Sequence, residues 1–205
     1  MKRIVLVKGL YCITDSIDNL EDICKGKADI VQLRVKNISD REIFLLGKRI
    51  KEIVKRYNVL FFINDRIDIA LSLGADGVHV GQDDLPVKEL KRLLRGYSRI
   101  RNFIIGVSTH SISEAIQAEK DGADYISFGP IFKSPTKPEL KPVGLDLLKE
   151  VRQKVKIPVV AIGGINEKNI EEIKKTGVNS VAVISAISRK QNIEDAVRNL
   201  KTKLL

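Results

Sequence analysis

Long hydrophobic runs are absent from this sequence, and cysteine is scarce. No uninterrupted apolar stretch approaches the roughly 20 residues of a membrane-spanning helix. The apolar run near the amino terminus is interrupted at Lys8, too early for a signal-peptide core. Cys12 and Cys24 are the only cysteines and lack a CxxC spacing, so neither a zinc site nor a disulfide framework is indicated. We therefore expect a cytoplasmic protein with no membrane partner.

Histidine is also scarce, and the nucleophilic residues are not grouped as in a covalent catalyst. The two histidines are His79 and His110, and no Ser/His/Asp or Cys/His arrangement indicates a covalent nucleophile. His79 lies inside a predicted strand, where we expect a hydrogen-bonded core histidine. His110 follows a strand end and is expected to be more open. The sequence thus favours chemistry that needs little acid–base catalysis.

Acidic residues do not balance the lysines and arginines, because the formal net charge is +10. Basic surfaces bind nucleic acids by releasing counterions from phosphates, so a nucleic-acid-binding module is one interpretation. The charges of residues 48–56, however, alternate with apolar residues at helical spacing, which is typical of the solvated face of an amphipathic helix. We therefore expect no nucleic-acid partner. The surplus charge is expected to help concentrate anionic small molecules.

Short runs rich in Val, Ile and Phe alternate with longer polar stretches of helical periodicity, without a linker. The predicted strands are Gly9–Thr14, Asp29–Arg34, Val59–Ile63, Gly77–Val80, Phe103–Val107, Tyr125–Phe128, Ile157–Ile162 and Ser180–Ile184. The predicted helices lie near residues 17–25, 39–56, 66–73, 86–95, 112–121, 145–155, 167–176 and 192–203. Eight βα units predict an α/β fold, a closed (β/α)8 TIM barrel rather than an open doubly wound sheet. We expect one catalytic domain over residues 1–205.

The predicted strands end in polar residues, and barrel enzymes build their active sites at the carboxyl ends of their strands. After the second strand, a side-chain period of two places Gln32, Arg34 and Lys36 on one face and the intervening apolar residues on the other. We expect the apolar face to lie under the helices, so that two cations point into the barrel mouth. Ion pairing at the rim is the structural alternative.

Carboxylates and an amide follow the third and fourth predicted strands. Asn64 and Asp65 come after the third strand, and Asp83 and Asp84 come after the fourth. Mg²⁺ prefers oxygen ligands and often shares them with substrate phosphates. We therefore expect a magnesium site at these two neighbouring strand ends. Helix capping by Asp65 or Asp83 is the structural alternative.

Glycine and small polar residues follow the last two predicted strands. Gly163 and Gly164 come after the seventh strand, and Ser185 comes after the eighth. The loops after strands seven and eight form the recurrent phosphate site of this barrel, and glycine lets backbone amides approach an anion. Residues 131–143 contain three prolines, which exclude regular structure and predict a lid or ligand-binding loop.

Six motifs, in this order, resemble those of the thiamine phosphate synthase and thiazole tautomerase family. They are Gln32-Leu33-Arg34-Val35-Lys36, Ile63-Asn64-Asp65-Arg66, residues 77–86, residues 106–111, Ser134-Pro135-Thr136-Lys137-Pro138 and Ile162-Gly163-Gly164-Ile165. Single motifs recur in other barrels, whereas the ordered set covers nearly the whole chain and is specific to this family. The (β/α)8 barrel of the family agrees with the fold predicted above.

The resemblance to the synthases implies a transferase of thiamine biosynthesis. It would move a 4-amino-2-methylpyrimidin-5-ylmethyl group from its diphosphate to the ring nitrogen of a thiazole phosphate, giving thiamine phosphate and diphosphate. In the family, the diphosphate leaves first and the thiazole nitrogen captures the pyrimidine cation.

The resemblance also implies roles for individual residues. Those implied to bind the pyrimidine diphosphate are Gln32, Arg34, Lys36, Asn64, Ser108 and Lys137. Those implied to bind the thiazole phosphate are Ser134, Thr136, Gly164, Ile184 and Ser185. Asp65 and Asp84 would hold Mg²⁺, and the catalytic residues would be Arg34, Lys36, Ser108 and Lys137.

Two positions depart from the family pattern. Val35 stands where an acidic residue is usual, and Ser134 stands where threonine is more usual. We expect Val35 to face outward and to affect packing rather than the site. Ser134 retains the hydroxyl, so the phosphate contact should be retained.

The nearest alternative is a thiazole tautomerase on the same barrel. Asp84, Lys36 and the Pro135-Thr136-Lys137 segment favour the synthase, because a tautomerase has no leaving diphosphate for them to serve. His110 keeps the tautomerase open as a candidate proton shuttle. The sequence is also compatible with a homo-oligomer and does not determine the oligomeric state.

Overall fold

The structure, a computed structural model, describes residues 7–96, 102–136, 138–178 and 180–205. Eight parallel strands close into a barrel in chain order. They are β1 (Gly9–Thr14), β2 (Ile30–Leu33), β3 (Leu60–Asn64), β4 (Gly77–Val80), β5 (Ile104–Thr109), β6 (Tyr125–Phe128), β7 (Val159–Ile162) and β8 (Ser180–Val183). The predicted (β/α)8 barrel is confirmed.

Helices follow the strands around the outside of the barrel. Those in the described part of the chain are α1 (Leu20–Lys25), α2 (Asp40–Arg56), α3 (Ile67–Leu73), α4 (Val87–Arg95), α5 (Ile112–Lys120), α6 (Gly144–Lys154), α7 (Ile170–Lys174), α8 (Ser185–Ser188) and α9 (Ile193–Leu204). Over the described ranges, no helix combines the length and the apolar character needed to cross a membrane.

Two clusters of buried apolar side chains stabilise the barrel. The larger cluster joins outward strand residues such as Val31 and Leu33 to the helices. The smaller cluster fills the barrel interior and includes Tyr11, Phe62 and Tyr125. Because side chains alternate along a strand, Gln32 lies inside the barrel between two outward neighbours. This alternation agrees with the orientation predicted for the second strand.

Glycines on neighbouring strands make room for the large rings inside the barrel. Gly77 pairs with Phe62 in the strand register, and Gly106 pairs with Tyr125. A Cβ atom at Gly77 would lie 2.0 Å from the Phe62 ring, and one at Gly106 would lie 2.1 Å from the Tyr125 ring. No larger side chain fits at either position without displacing an aromatic ring.

Three aspartates stabilise the amino-terminal end of the barrel, opposite the predicted site. Asp29, Asp76 and Asp124 immediately precede or lead into β2, β4 and β6. Each carboxylate accepts a hydrogen bond from a backbone N–H of the preceding strand, at 2.7, 2.8 and 2.8 Å respectively. A charged acceptor that satisfies a part-buried N–H stabilises the strand register.

Two helical features near the carboxyl ends of the last strands differ from the predictions. The helix predicted near residues 167–176 is reduced to α7, because Asn166 and Asn169 hydrogen-bond to loop backbone before that helix begins. The short helix α8 was not predicted. Its four residues are too few to produce a periodic hydrophobic pattern.

Candidate active site

A cavity of about 110 Å³ opens at the carboxyl ends of the strands. Its lining includes nine of the residues predicted to bind substrate: Gln32, Arg34, Asn64, Ser108, Ser134, Thr136, Gly164, Ile184 and Ser185. These residues come from six strand ends or loops that are far apart in sequence. The barrel therefore brings them together as expected, and their individual roles stay predictions. Lys137 lies outside the described residues.

Lys36 lies at the rim and is absent from the cavity lining. Its Nζ donates to Asp65 Oδ2 at 3.3 Å, and its side chain is 57% exposed. Strand β2 ends at Leu33, so the strand alternation used to orient Lys36 does not extend that far. Ion pairing at the rim, the structural alternative, is what the structure shows for this lysine. Arg34, by contrast, lines the cavity. Val35 packs against the outer cluster, as predicted.

Asp65 and Asp84 lie side by side after β3 and β4. Burial and the hydrogen bond and charge of Asp84 raise the pKa of the Asp65 carboxyl, while Lys36 acts in the opposite direction. Asp84 Oδ2 also accepts the backbone N–H of Gly81 at 2.6 Å. A half-buried Asp65 carboxyl whose ionised form is disfavoured by a neighbouring carboxylate belongs to a donor set that a divalent cation would stabilise.

The helices after these carboxylates rule out the capping alternative. The N-cap residues of α3 and α4 are Arg66 and Pro86 rather than Asp65 and Asp83. Among the described residues, no side-chain capping hydrogen bond is present at the start of either helix. Asp65 has φ of 62°, a left-handed conformation that aspartate adopts more readily than most residues. No group of three or more His, Cys, Asp or Glu side chains in the described ranges could hold a metal ion. A cation at Asp65 and Asp84 would therefore need further ligands from water or substrate.

A chain of hydrogen bonds runs beneath the cavity. Gln32 Nε2 donates to Tyr11 Oη at 2.7 Å, and the hydroxyls of Tyr11 and Tyr125 are 3.0 Å apart. His79 Nδ1 lies 2.8 Å from Tyr125 Oη, and His79 Nε2 lies 3.0 Å from Ser108 Oγ. The prediction of a buried, hydrogen-bonded His79 is confirmed.

The places of Tyr11 and Tyr125 in this chain of hydrogen bonds were not predicted from the sequence. Their inward orientation follows from the strand period of two. Their contact does not, because Tyr11 lies on β1 and Tyr125 on β6, which are not neighbouring strands. Only closure of the barrel brings the two rings to a centroid separation of 6.2 Å.

His110 stands at the cavity mouth and is exposed, as expected. Its Nδ1 lies 2.5 Å from the carbonyl oxygen of Gly129, and its backbone N–H donates to Glu114 Oε2 at 2.7 Å. One ring nitrogen is therefore held by the backbone, which restrains the orientation of the imidazole.

The glycine turn after β7 forms one wall of the cavity. Gly163 and Gly164 have φ of 98° and 67°. The side-chain Nδ2 atoms of Asn166 and Asn169 each lie 3.1 Å from the carbonyl oxygen of Gly164 and donate to it. Neither asparagine was predicted to support this turn, since a turn of this shape leaves no periodic signal.

The proline-containing loop packs directly on this turn. The backbone N–H of Ile131 donates to Ile162 O at 2.9 Å, and that of Phe132 donates to Gly163 O at 3.0 Å. Its described residues contain no helix or strand, as predicted, and Ser134 and Thr136 reach the cavity. The base of the loop is thus anchored to β7 beside the glycine turn.

The closed barrel and the polar cavity at the carboxyl ends of its strands define a (β/α)8-barrel enzyme. A sequence model of the family described as thiamine monophosphate synthase matches residues 6–187. The chain belongs to this family, and the thiamine-phosphate synthases among its relatives make it a transferase.

Individual relatives agree with the family match over almost the whole chain. The thiamine-phosphate synthase of Pyrococcus furiosus is 40% identical over 197 residues, covering 94% of this chain and 92% of the relative. That of Clostridium novyi is 44% identical over 200 residues, covering 93% and 96%. The resemblance inferred from the ordered motifs is therefore confirmed.

Solved structures also match the fold. A thiamine phosphate pyrophosphorylase from Pyrococcus furiosus matches with a TM-score of 0.88 and 38% identity, covering 97% of this chain and 96% of the other. A 3-hexulose-6-phosphate synthase matches with a TM-score of 0.73 and 17% identity, covering 96% and 100%. The second likeness concerns the barrel fold alone.

Proposed function

We propose that the protein carries out thiamine phosphate synthesis in the cavity at the barrel mouth. It transfers the 4-amino-2-methylpyrimidin-5-ylmethyl group from its diphosphate to the nitrogen of a thiazole phosphate. The observation that carries this proposal is the convergence on one cavity of nine predicted residues from six strand ends or loops. Neither a tautomerase nor a nucleic-acid-binding module is supported by the relatives, whose names are those of synthases.

The pyrimidine diphosphate occupies the side of the cavity formed by β2, β3 and β5. Gln32 and Ser108 contact the pyrimidine end from below, and Asn64 contributes an amide from the side. Arg34 binds the diphosphate, because a guanidinium forms paired, charge-assisted hydrogen bonds with phosphate oxygens. Lys137 supplies a further cation from the proline-containing loop. This assignment is supported by the positions of Gln32, Arg34, Asn64 and Ser108 in the cavity lining.

Mg²⁺ is the cofactor we propose, held by Asp65 and Asp84. The support is the pairing of two carboxylates in which burial and the neighbouring Asp84 raise the pKa of Asp65. Bound there, the ion would neutralise charge on the diphosphate leaving group. Lys36 already pairs with Asp65, so it adds positive charge at the same rim.

The thiazole phosphate occupies the opposite side, formed by the glycine turn, the proline-containing loop and the end of β8. Gly164 lets the backbone approach the phosphate, and Ser134, Thr136 and Ser185 offer hydroxyl groups. Ile184 gives an apolar contact for the thiazole ring. The support is that all five residues line the cavity and that the proline-containing loop packs on the glycine turn.

The reaction requires charge neutralisation, positioning and exclusion of water rather than a general base. The bond between the pyrimidine methylene carbon and the diphosphate oxygen breaks, and its electron pair leaves with the diphosphate. The thiazole nitrogen then donates its lone pair to the methylene carbon. Atoms and charge balance without an added proton. Arg34, Lys36 and Lys137 stabilise the departing negative charge.

Incubation of the purified protein with both substrates, with and without Mg²⁺, tests the proposal. We expect thiamine phosphate and diphosphate in equal amounts, and only when both substrates and Mg²⁺ are present. A thiazole isomerisation assay serves as the control for the alternative activity. Isomerisation without diphosphate release, lost in His110→Ala and retained in Lys137→Ala, would establish a tautomerase instead.

A further inference from the structure

The hydrogen-bonded chain beneath the cavity joins five side chains from five different strands. Gln32 and Ser108 form its two ends, and both line the cavity. The aromatic members pack closely, with ring centroids 6.2 Å apart for Tyr11 and Tyr125 and 5.4 Å apart for His79 and Tyr125. The chain therefore connects two substrate-facing groups through a rigid, buried interior.

Each member of this chain has a limited number of protons, so neighbouring hydrogen bonds must run in the same direction. Burial raises the pKa of both tyrosine hydroxyls, so each keeps its single proton. Gln32 Nε2 donates to Tyr11, which leaves the Tyr11 proton for Tyr125. Tyr125 in turn donates to Nδ1 of His79. A neutral imidazole then carries its proton on Nε2. That nitrogen lies 3.0 Å from Ser108 Oγ and 3.3 Å from Ser127 Oγ, and the shorter contact makes Ser108 the acceptor.

This direction decides what the two ends offer to a ligand. The Gln32 amide nitrogen is engaged with Tyr11, so its carbonyl oxygen is the group left for the cavity. Ser108 accepts from His79, so its own proton is left for the cavity. Rotating the Gln32 amide by half a turn would require reversal of both tyrosine hydroxyls and the other tautomer of His79. A partial reversal would leave two buried acceptor atoms facing each other with no proton between them, which is costly.

We propose that Tyr11, Tyr125 and His79 are positioning residues that hold the Gln32 carbonyl and the Ser108 proton toward the substrate. The inference rests on the proposed function, which puts the pyrimidine at this end of the cavity. The exocyclic amino group of the pyrimidine donates to Gln32. The proton of Ser108 goes to an acceptor on the same substrate, a ring nitrogen or a diphosphate oxygen. A 4-oxo analogue would present an acceptor to the Gln32 carbonyl, and the chain therefore selects the aminopyrimidine.

Tyr125→Phe breaks the middle of the chain and keeps the ring that packs inside the barrel. The measurement is the inhibition constant of the 4-oxo pyrimidine diphosphate analogue, divided by the KM of the amino substrate. We expect this ratio to fall about tenfold in Tyr125→Phe, because Gln32 becomes free to rotate and to donate to the oxo group. Tyr57→Phe, the same change at the end of α2 and away from the cavity, is the matched control and should leave the ratio unchanged.

A second comparison distinguishes positioning from a merely structural role. If Tyr125 acts through Gln32, adding Tyr125→Phe to Gln32→Ala should not change the ratio further, because the amide that Tyr125 would orient is already absent. Circular dichroism verifies folding, and Tyr11→Phe tests the same chain should Tyr125→Phe not fold. An unchanged ratio in a folded variant, or effects that multiply in the double variant, would overturn the inference. Absence of thiamine phosphate synthesis in the wild-type protein would instead overturn the proposed function.

Discussion

Replacing Gly164 with alanine should both destabilise the protein and weaken the binding of the thiazole phosphate. Gly164 has φ of 67°, where a residue with a Cβ atom costs about 1–2 kcal/mol. Its Cβ would also lie 2.5 Å from Lys133 O and 2.8 Å from Phe132 Cβ. Overpacking of this kind typically costs about 1–3 kcal/mol. The two contributions together predict a loss of about 2–5 kcal/mol in the free energy of unfolding.

The collision lies in the loop that Ile131 and Phe132 anchor to β7, so relief of the overlap must shift one wall of the cavity. We therefore expect the KM for the thiazole phosphate to rise about tenfold or more, with little change in the KM for the pyrimidine diphosphate. Gly177→Ala is the matched control. Gly177 has φ of 81°, but a Cβ there would meet nothing within 4 Å. It should cost only the backbone contribution of about 1–2 kcal/mol.

Urea unfolding measures the stability of both variants, and steady-state kinetics with each substrate varied in turn measures the effect on the site. Equal stability losses in Gly164→Ala and Gly177→Ala would show that the close approach to the loop has no energetic consequence. An equal rise in both KM values would refute the assignment of this wall to the thiazole phosphate.

Three further predictions concern charged residues. Asp65→Asn should weaken the response of activity to Mg²⁺, and a normal magnesium titration would contradict the proposed ligand. Burial and a neighbouring carboxylate raise the folded-state pKa of Asp65 above 3.8. Its contribution to the free energy of unfolding is therefore present at lower pH and is lost as pH rises through the folded-state pKa. Without Mg²⁺, urea unfolding at neutral pH should show no loss of stability in Asp65→Asn. Lys137→Ala should lower kcat about a hundredfold, roughly 3 kcal/mol, with little effect on substrate affinity. In a diphosphate-release assay, His110→Ala should lower kcat less than Lys137→Ala does. A larger loss in His110→Ala would favour proton transfer by the histidine. Asp124→Ala removes an acceptor from a strand N–H and should cost about 1–3 kcal/mol in thermal unfolding. Asp121→Ala, which removes a hydrogen bond from the exposed Gln117 side chain, should cost less than about 0.5 kcal/mol. Similar losses in the two variants would contradict the role of Asp124 in stabilising the strand.

The sequence by itself determined the order and kind of the elements apart from the short helix α8, and it predicted nine of the residues that line the cavity. Alternation of short apolar runs with amphipathic stretches is a local signal, and eight repeats of it specify a barrel. Parallel strands also bring all their carboxyl ends to one edge, so polar residues after strands, such as Asn64 and Ser108, were predicted to meet without knowledge of distances. The glycine turn at Gly164 was predicted for the same reason.

Tertiary structure alone decided which side chains touch. The strand period predicted that Gln32 faces inward, but only the curvature of the closed barrel brings it into a chain that reaches His79 through tyrosines of β1 and β6. Lys36 lies beyond the end of β2, where alternation no longer applies, and its pairing with Asp65 follows from the path of the loop. A sequence pattern records the direction in which a side chain points, whereas distances between strands that are not neighbours depend on closure and packing of the whole barrel.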